Sequence, residues 1–259
     1  MAEQKQTEAS AAEGPIVFTD FDGTITQFDA TDAILARLAH PSWQQVEQEW
    51  TSGSIGSREC LARQLALVDA STDELHAVID AIPVDPAFPS FYAFVREHGI
   101  PIYVLSDGFD YVIARILKRA GVNGRLQNGI NLFSSALRIE NRSLIPSFPH
   151  EPCEHGCATC KAALIRQLAQ GRRPIIFLGD GLSDRFAVHE ADVVFAKRQL
   201  LAYCREHGTA CHPFETFAEV EKAVAKLIGQ EAGSADWVAR TCFAGPRPLG
   251  AIGEKSRRP

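Results

Sequence analysis

Long apolar runs are missing from this sequence. The longest, at residues 100–105 and 175–178, fall far short of the roughly 20 residues that a membrane-crossing helix needs. Residues 1–14 are polar and acidic and lack the apolar stretch of a secretory signal. A cytoplasmic location with no membrane partner is therefore expected. Clustered positive charge is missing as well: Lys118 with Arg119 and Arg172 with Arg173 are only short pairs, and the 259 residues carry a net charge of −6. Nucleic-acid binding relies on grouped Lys and Arg to displace counterions, so no nucleic-acid partner is expected. Cysteine is sparse, since seven residues, an odd number, lack the density of a disulfide-stapled fold; reduced thiols are the expectation. What remains is ordinary for a globular protein, with 46% hydrophobic and 22% charged residues. The length allows one α/β core plus a smaller accessory domain, and a homodimer is compatible with it.

Three short apolar runs end in polar residues. Pro15-Ile16-Val17-Phe18-Thr19 ends in Asp20, Pro101-Ile102-Tyr103-Val104-Leu105 in Ser106, and Pro174-Ile175-Ile176-Phe177-Leu178-Gly179 in Asp180. Each has the form of a parallel strand buried on both faces, and a weaker fourth lies at 193–196. Helical patterns at 111–120 and 161–170 are closed by Gly121 and Gly171. Strands alternating with helices predict an α/β fold with a doubly wound parallel sheet. Residues 28–84 break the rhythm and read as a helical cap inserted after the first strand, with helices near 30–40, 42–50, 57–69 and 72–82. Ser71 followed by Glu74 suggests a capping box there. The core is then 15–27 plus 85–230, with a helix at 88–98 and a strand near 130–133 followed by a hairpin-like excursion. Residues 1–14 read as a disordered lead, and 231–259, rich in Gly, Pro and Arg, as a flexible tail.

Ligands of an open parallel sheet bind at the carboxyl ends of its strands, so Asp20, Ser106 and Asp180 should meet. In Asp20-Phe21-Asp22-Gly23-Thr24 two carboxylates share a loop without sharing a role. Asp20 is placed to attack phosphorus, and Asp22 to protonate the leaving alcohol and then activate water. Neighbouring carboxylates push the Asp22 pKa upward, which suits an acid at neutral pH. Gly23 lets the backbone approach a phosphate. Ser106-Asp107-Gly108 reads as a strand-to-helix turn whose hydroxyl and N–H groups favour an anion. Lys161, opening a helix, can neutralise phosphate and nucleophile together. Asp180 is a hard oxygen ligand suited to Mg²⁺, and Asp184 follows as an outer or second ligand or as a helix cap. Metal is required by charge, because a phosphate dianion facing Asp20, Asp22, Asp180 and Asp184 is otherwise repelled.

These motifs, Asp20-Phe-Asp-Gly-Thr, Ser106, Lys161 and Gly179-Asp-Gly-Leu-Ser-Asp, resemble in order the four motifs of the haloacid-dehalogenase superfamily over about residues 15–225. The cap insertion point is similar to that of its phosphoserine-phosphatase-like branch. The resemblance implies a Mg²⁺-dependent phosphatase of a small phosphate ester working through an aspartyl-phosphate on Asp20. It assigns metal ligation to Asp20, Asp180 and the Asp22 backbone carbonyl, and it places an amine-recognising acid at the position of Asp29, whose rival role is a helix N-cap. The stretch 148–161 further resembles the Cys/His-rich approach to the lysine in methionine-salvage phosphatases. Ala162 stands where those enzymes tend to have proline, and Asp107 where they have glycine, which leaves phosphoserine and phosphocholine or phosphoethanolamine open as substrates. A phosphomutase is a further alternative, and a non-catalytic phosphometabolite-binding regulator would be expected to have lost a motif residue; none of the main ones is missing.

Cys153, His155, Cys157 and Cys160 form a dense run with three readings: a structural Zn²⁺ site, a loop of reduced thiols, or a redox-sensitive pair. Cys60, Cys204, Cys211 and Cys242 are expected to be ordinary thiols. Trp43 and Trp50, seven apart on one helical face, read as cap core rather than as a substrate platform.

Overall fold

A computed structural model describes residues 14–122 and 130–229; the expected lead, apart from Gly14, and the expected tail lie outside them. Seven strands form one sheet in the order β4-β3-β2-β1-β5-β6-β7. They are β1 (Ile16–Thr19), β2 (Ile102–Phe109), β3 (Asn131–Glu140), β4 (Ser143–Ser147), β5 (Ile175–Gly179), β6 (Val193–Ala196) and β7 (His212–Pro213). All neighbours run parallel except β3 and β4, which pair antiparallel and make the expected hairpin. The apolar runs are continuous because both sheet faces are covered. Along β1, Val17 packs into one buried cluster while Ile16 and Phe18 pack into the other.

The order reverses at β1, which lies between β2 and β5. Thr19 pairs with Val104 on one side and Leu178 on the other. Asp20, Ser106 and Asp180 therefore leave the sheet along the same edge, at the switch point where such sheets open a crevice.

Four helices separate β1 from α5 (Phe88–Glu97): α1 (Ala30–Leu38), α2 (Trp43–Thr51), α3 (Ser57–Leu65) and α4 (Thr72–Asp80). A backbone bridge between Thr26 and Val84 closes the base of this insertion. The Ser71–Glu74 capping box forms as expected. Helix α3 is shorter than the expected 57–69 because Val68 pairs with Ala39 across the insertion, which takes its backbone out of the helix. After β2 come α6 (Asp110–Arg119) and, beyond the hairpin, α7 (Lys161–Ala169). Beyond Ala196, where the pattern marks no individual element, the chain adds α8 (Arg198–Glu206), β7 and α9 (Phe217–Gly229). Val220 and Val224 of α9 are buried, and its Phe217 meets Phe88 and Phe91 of α5.

The turn expected at Ser106-Asp107-Gly108 is instead part of β2, which carries a bulge between Leu105 and Phe109. Phe109 still pairs with Ser135, and the Ser135 hydroxyl donates to the Asp107 carbonyl (3.0 Å). The neighbouring strand holds this segment extended, and the helix begins only at Asp110.

Candidate active site

Asp20 stays in the ladder through its N–H, which donates to the Leu178 carbonyl (2.8 Å). Its carboxylate then points over the carboxyl edge. The chain turns back at once: the Thr24 and Ile25 N–H groups donate to the Phe21 carbonyl, and the Gly23 N–H to the Thr26 hydroxyl. Gly23 has φ +74°, and a Cβ there would lie 2.2 Å from Asp180 Oδ2. Both conformation and contact restrict this position to glycine.

Lys161, the first residue of α7, is 3% exposed. Its ammonium donates to Asp20 Oδ1 (2.5 Å) and Asp184 Oδ1 (2.5 Å), with the Ser183 hydroxyl at 3.3 Å. Burial works against its charge, but the carboxylates of Asp184, Asp20 and Asp107 outweigh this and hold its pKa well above the usual lysine value. Both oxygens of the fully buried Asp184 are engaged, since Oδ2 accepts the N–H groups of Asp180 (3.1 Å) and Gly181 (3.2 Å). The residue thus caps the short 3-10 turn that follows β5 and grips the lysine at once.

Asp22 faces a different way. Its Oδ1 accepts the Ala30 N–H (2.9 Å) at the start of α1, and Oδ2 accepts the Ser106 hydroxyl (3.2 Å). Gly108 donates its N–H to that hydroxyl (2.9 Å), and a Cβ on Gly108 would sit 2.4 Å from Asp22 Oδ2. Burial, then the nearby Asp29 charge, push the Asp22 pKa to about 7 despite these hydrogen bonds. Asp29 itself caps α1 by accepting the Asp32 N–H (2.9 Å), and burial with Asp32 raises it to about 7 too. Asp107 turns its carboxylate to the Thr159 N–H (2.8 Å) and the Ser57 hydroxyl, so it ties the insertion to the segment entering α7.

Carboxylate oxygens of Asp20, Asp180 and Asp184 lie within 4.8 Å of one another. Burial and the charges of Asp184, Asp180 and Asp22 push Asp20 well above the usual carboxylate range against the pull of Lys161. Asp180 rises to about 6 through burial and Asp184, with Arg198 opposing. Such an excess of negative charge on hard oxygen donors fits a small divalent cation. The Asp22 carboxylate is not part of this group.

Arg198 was not expected from the sequence. Its guanidinium bonds Asp180 Oδ2 (3.2 Å), the Gly23 carbonyl (3.3 Å) and the Gln27 carbonyl. It stitches the first loop to Asp180 from an unusual φ of +50°. The available signal was its place, directly after β6 on the same carboxyl edge.

Asp20, Asp22, Ser106, Asp107, Asp180 and Arg198 line a cavity of about 360 Å³. The insertion supplies its outer wall, including Asp29, Asp32, Glu47, Trp50, Leu61 and Gln64. Trp50 is thus a cavity wall and not the core residue expected; Trp43 packs against the core. The cysteine run is corrected as well. Sulfurs of Cys153, Cys157 and Cys160 converge within 4.8 Å, but the His155 ring stacks on Phe186 with centroids 3.8 Å apart. The tight turn at Gly156, φ +64°, whose N–H returns to the Cys153 carbonyl, swings the histidine away.

A family model described as haloacid dehalogenase-like hydrolase matches residues 17–188. The 2-hydroxy-3-keto-5-methylthiopentenyl-1-phosphate phosphatase of Geobacillus kaustophilus is 30% identical over 220 residues, which cover 82% of this chain and 96% of that protein. Its counterpart in Bacillus velezensis is 28% identical over 218 residues, covering 82% and 91%. A substrate-bound phosphoserine phosphatase has a similar fold, with a TM-score of 0.61 at 17% identity, covering 81% of this chain and 98% of that one. No helix among the described residues is long and apolar enough to cross a membrane.

Proposed function

The chain belongs to the haloacid dehalogenase-like hydrolase family, and from that membership we propose that it hydrolyses a small phosphate monoester through an aspartyl-phosphate on Asp20. The observation that carries this reading is the division of labour between two aspartates two residues apart. Asp20 is gripped by Lys161 among metal-fitting carboxylates, whereas Asp22 is turned aside with a pKa near 7. One is kept as nucleophile, the other as acid and base.

The steps follow from the contacts. Lys161 holds Asp20 Oδ1 and leaves Oδ2 to attack phosphorus. As the ester P–O bond breaks, the Asp22 proton passes to the departing alkoxide. The Ser106 hydroxyl, fixed by the Gly108 N–H, keeps the Asp22 carboxyl aimed. Asp22, now ionised, takes a proton from water as its oxygen attacks phosphorus; the acyl-phosphate P–O bond breaks and Asp20 is restored. Mg²⁺ held by Asp20, Asp180 and the Asp22 carbonyl would neutralise phosphate charge so that an anionic nucleophile can approach. Asp184 anchors this set through Lys161 and the loop N–H groups, and the insertion serves as a cap that shields the intermediate and selects the leaving group.

The proposed substrate class is that of the curated relatives, a methionine-salvage keto-enol phosphate bearing a methylthioether. Trp50 and Leu61 on the outer wall offer an aromatic and aliphatic surface for that sulfur. Phosphoserine is the second reading, favoured by Asp29, Asp32 and Glu47 on the same wall, which suit an ammonium group. A phosphate-release screen over small esters with Mg²⁺, run beside Asp20→Asn, tests both. Turnover lost in the variant and in EDTA is expected, with a higher kcat/KM for the thioether substrate than for phosphoserine. Wild-type protein that releases no phosphate from any ester would end the phosphatase reading.

A further inference from the structure

Three of the six described cysteines behave differently from the rest. Cys60, Cys204 and Cys211 are buried, whereas Cys153, Cys157 and Cys160 are half-exposed and turned toward one another. They sit in the loop between β4 and α7, which has no regular secondary structure over residues 148–160. Cys160 is the N-cap of α7 and precedes the buried lysine directly.

We propose that Cys153, Cys157 and Cys160 form a thiolate site for a thiophilic divalent cation, zinc being the probe, which fastens the loop that delivers Lys161. A tetrahedral zinc with sulfur bonds of about 2.3 Å sets its ligands about 3.8 Å apart. The three sulfurs, already within 4.8 Å of one another, close to that spacing with small rotamer shifts. The Cys157 N–H points at the Cys153 sulfur (3.4 Å), the kind of contact that stabilises a thiolate. Metal uptake releases the remaining thiol protons to solvent.

The entry path and the coupling are also present. Cys157 lines a second cavity of about 390 Å³, which shares Trp50, Ser57, Asp107 and Ser183 with the first. Among the described residues no fourth His, Cys, Asp or Glu joins the sulfurs, so the last ligand is water or a solute. The loop is clamped to the insertion: Arg58 donates its N–H to the Gly156 carbonyl (3.1 Å) and its guanidinium to the His150 carbonyl (2.7 Å). The Ala158 N–H donates to the Ser57 hydroxyl (2.9 Å). A cation here would pin one segment that touches the insertion at Gly156 and the catalytic pocket at Lys161.

The inference is independent of the phosphatase reading, because its readout is sulfur ligation. Full-length, fully reduced protein is titrated with Zn²⁺ against a chromophoric chelator, then reconstituted with Co²⁺ and examined for a thiolate-to-cobalt charge-transfer band. About one tightly held zinc per chain and a clear band are expected, both lost in Cys157→Ser and Cys160→Ser and both retained in Cys60→Ser. Wild-type protein without the band, or a band unchanged in Cys157→Ser, overturns the proposal. Co²⁺ bound only by the acidic site gives no sulfur band and counts against it equally.

Discussion

At the scale of single residues, the chemistry is set by where charge is left uncompensated. Asp22 is held near neutrality by burial and by the Asp29 charge, so it can give a proton at pH 7 and take one back. Replacing it, Asp22→Asn, should lower kcat by about 10²- to 10⁴-fold, the usual worth of a positioned acid and base; steady-state kinetics on the folded variant check this. The protonated form is the one that donates, so kcat/KM should fall as pH rises above about 7. Asp29→Asn removes the neighbouring negative charge and should shift that falling limb to lower pH, as read from a pH–rate profile. An unshifted limb would mean that Asp29 acts only as the cap of α1.

At the scale of elements, the placing of Lys161 depends on a loop, and the loop depends on the insertion. Gly56, the N-cap of α3, lies against Gly156, and a Cβ on Gly56 would meet the Gly156 carbonyl oxygen at 2.4 Å. Gly56→Ala should therefore push the loop away and cost about 1–3 kcal/mol in stability, as an overpacked contact does. Because residues 157–160 lead into α7, the same substitution should lower kcat more than it raises KM. Chemical denaturation and kinetics on one preparation separate the two effects. Gly229→Ala, where the backbone φ is not positive and a Cβ would meet nothing within 4 Å, controls for the glycine-to-alanine change itself.

At the scale of the whole molecule, the metal-free protein carries its acids as a liability. Asp22 and Asp29 are raised to about 7 and Asp180 to about 6, burial being the leading cause of each shift. A folded-state pKa above the unfolded value means that the stabilising contribution is full only below the unfolded value of 3.8, declines as pH rises from there, and is lost once pH passes the folded values of about 6 to 7. The protein in EDTA should thus melt at a lower temperature at about pH 8 than at about pH 5.5, and Mg²⁺ should restore more at the higher pH. Scanning calorimetry at both values, with and without Mg²⁺, measures this. Equal melting temperatures in EDTA would mean that Asp22, Asp29 and Asp180 are not perturbed as a group.

Local pattern was enough to determine the parallel sheet and the aspartates at its edge. An apolar run buried on both faces must be a strand, and Asp20, Ser106 and Asp180 each follow such a run directly, so their common edge was legible before any fold was known. The helices α1 to α4 were legible too, because 28–84 lacks strand-like runs. Direction and partnership were decided only by tertiary contact. Whether Ser106 began a helix or stayed in a strand depended on Ser135, some thirty residues away. The turn at Gly156 sent His155 to Phe186 instead of to the sulfurs, and the lie of α2 made Trp50 a wall of the pocket. Arg198 reached Asp180 across eighteen positions of chain. A hydrogen bond or a stacked ring between distant segments leaves no periodic trace in sequence, because only the closed fold brings its two halves within reach.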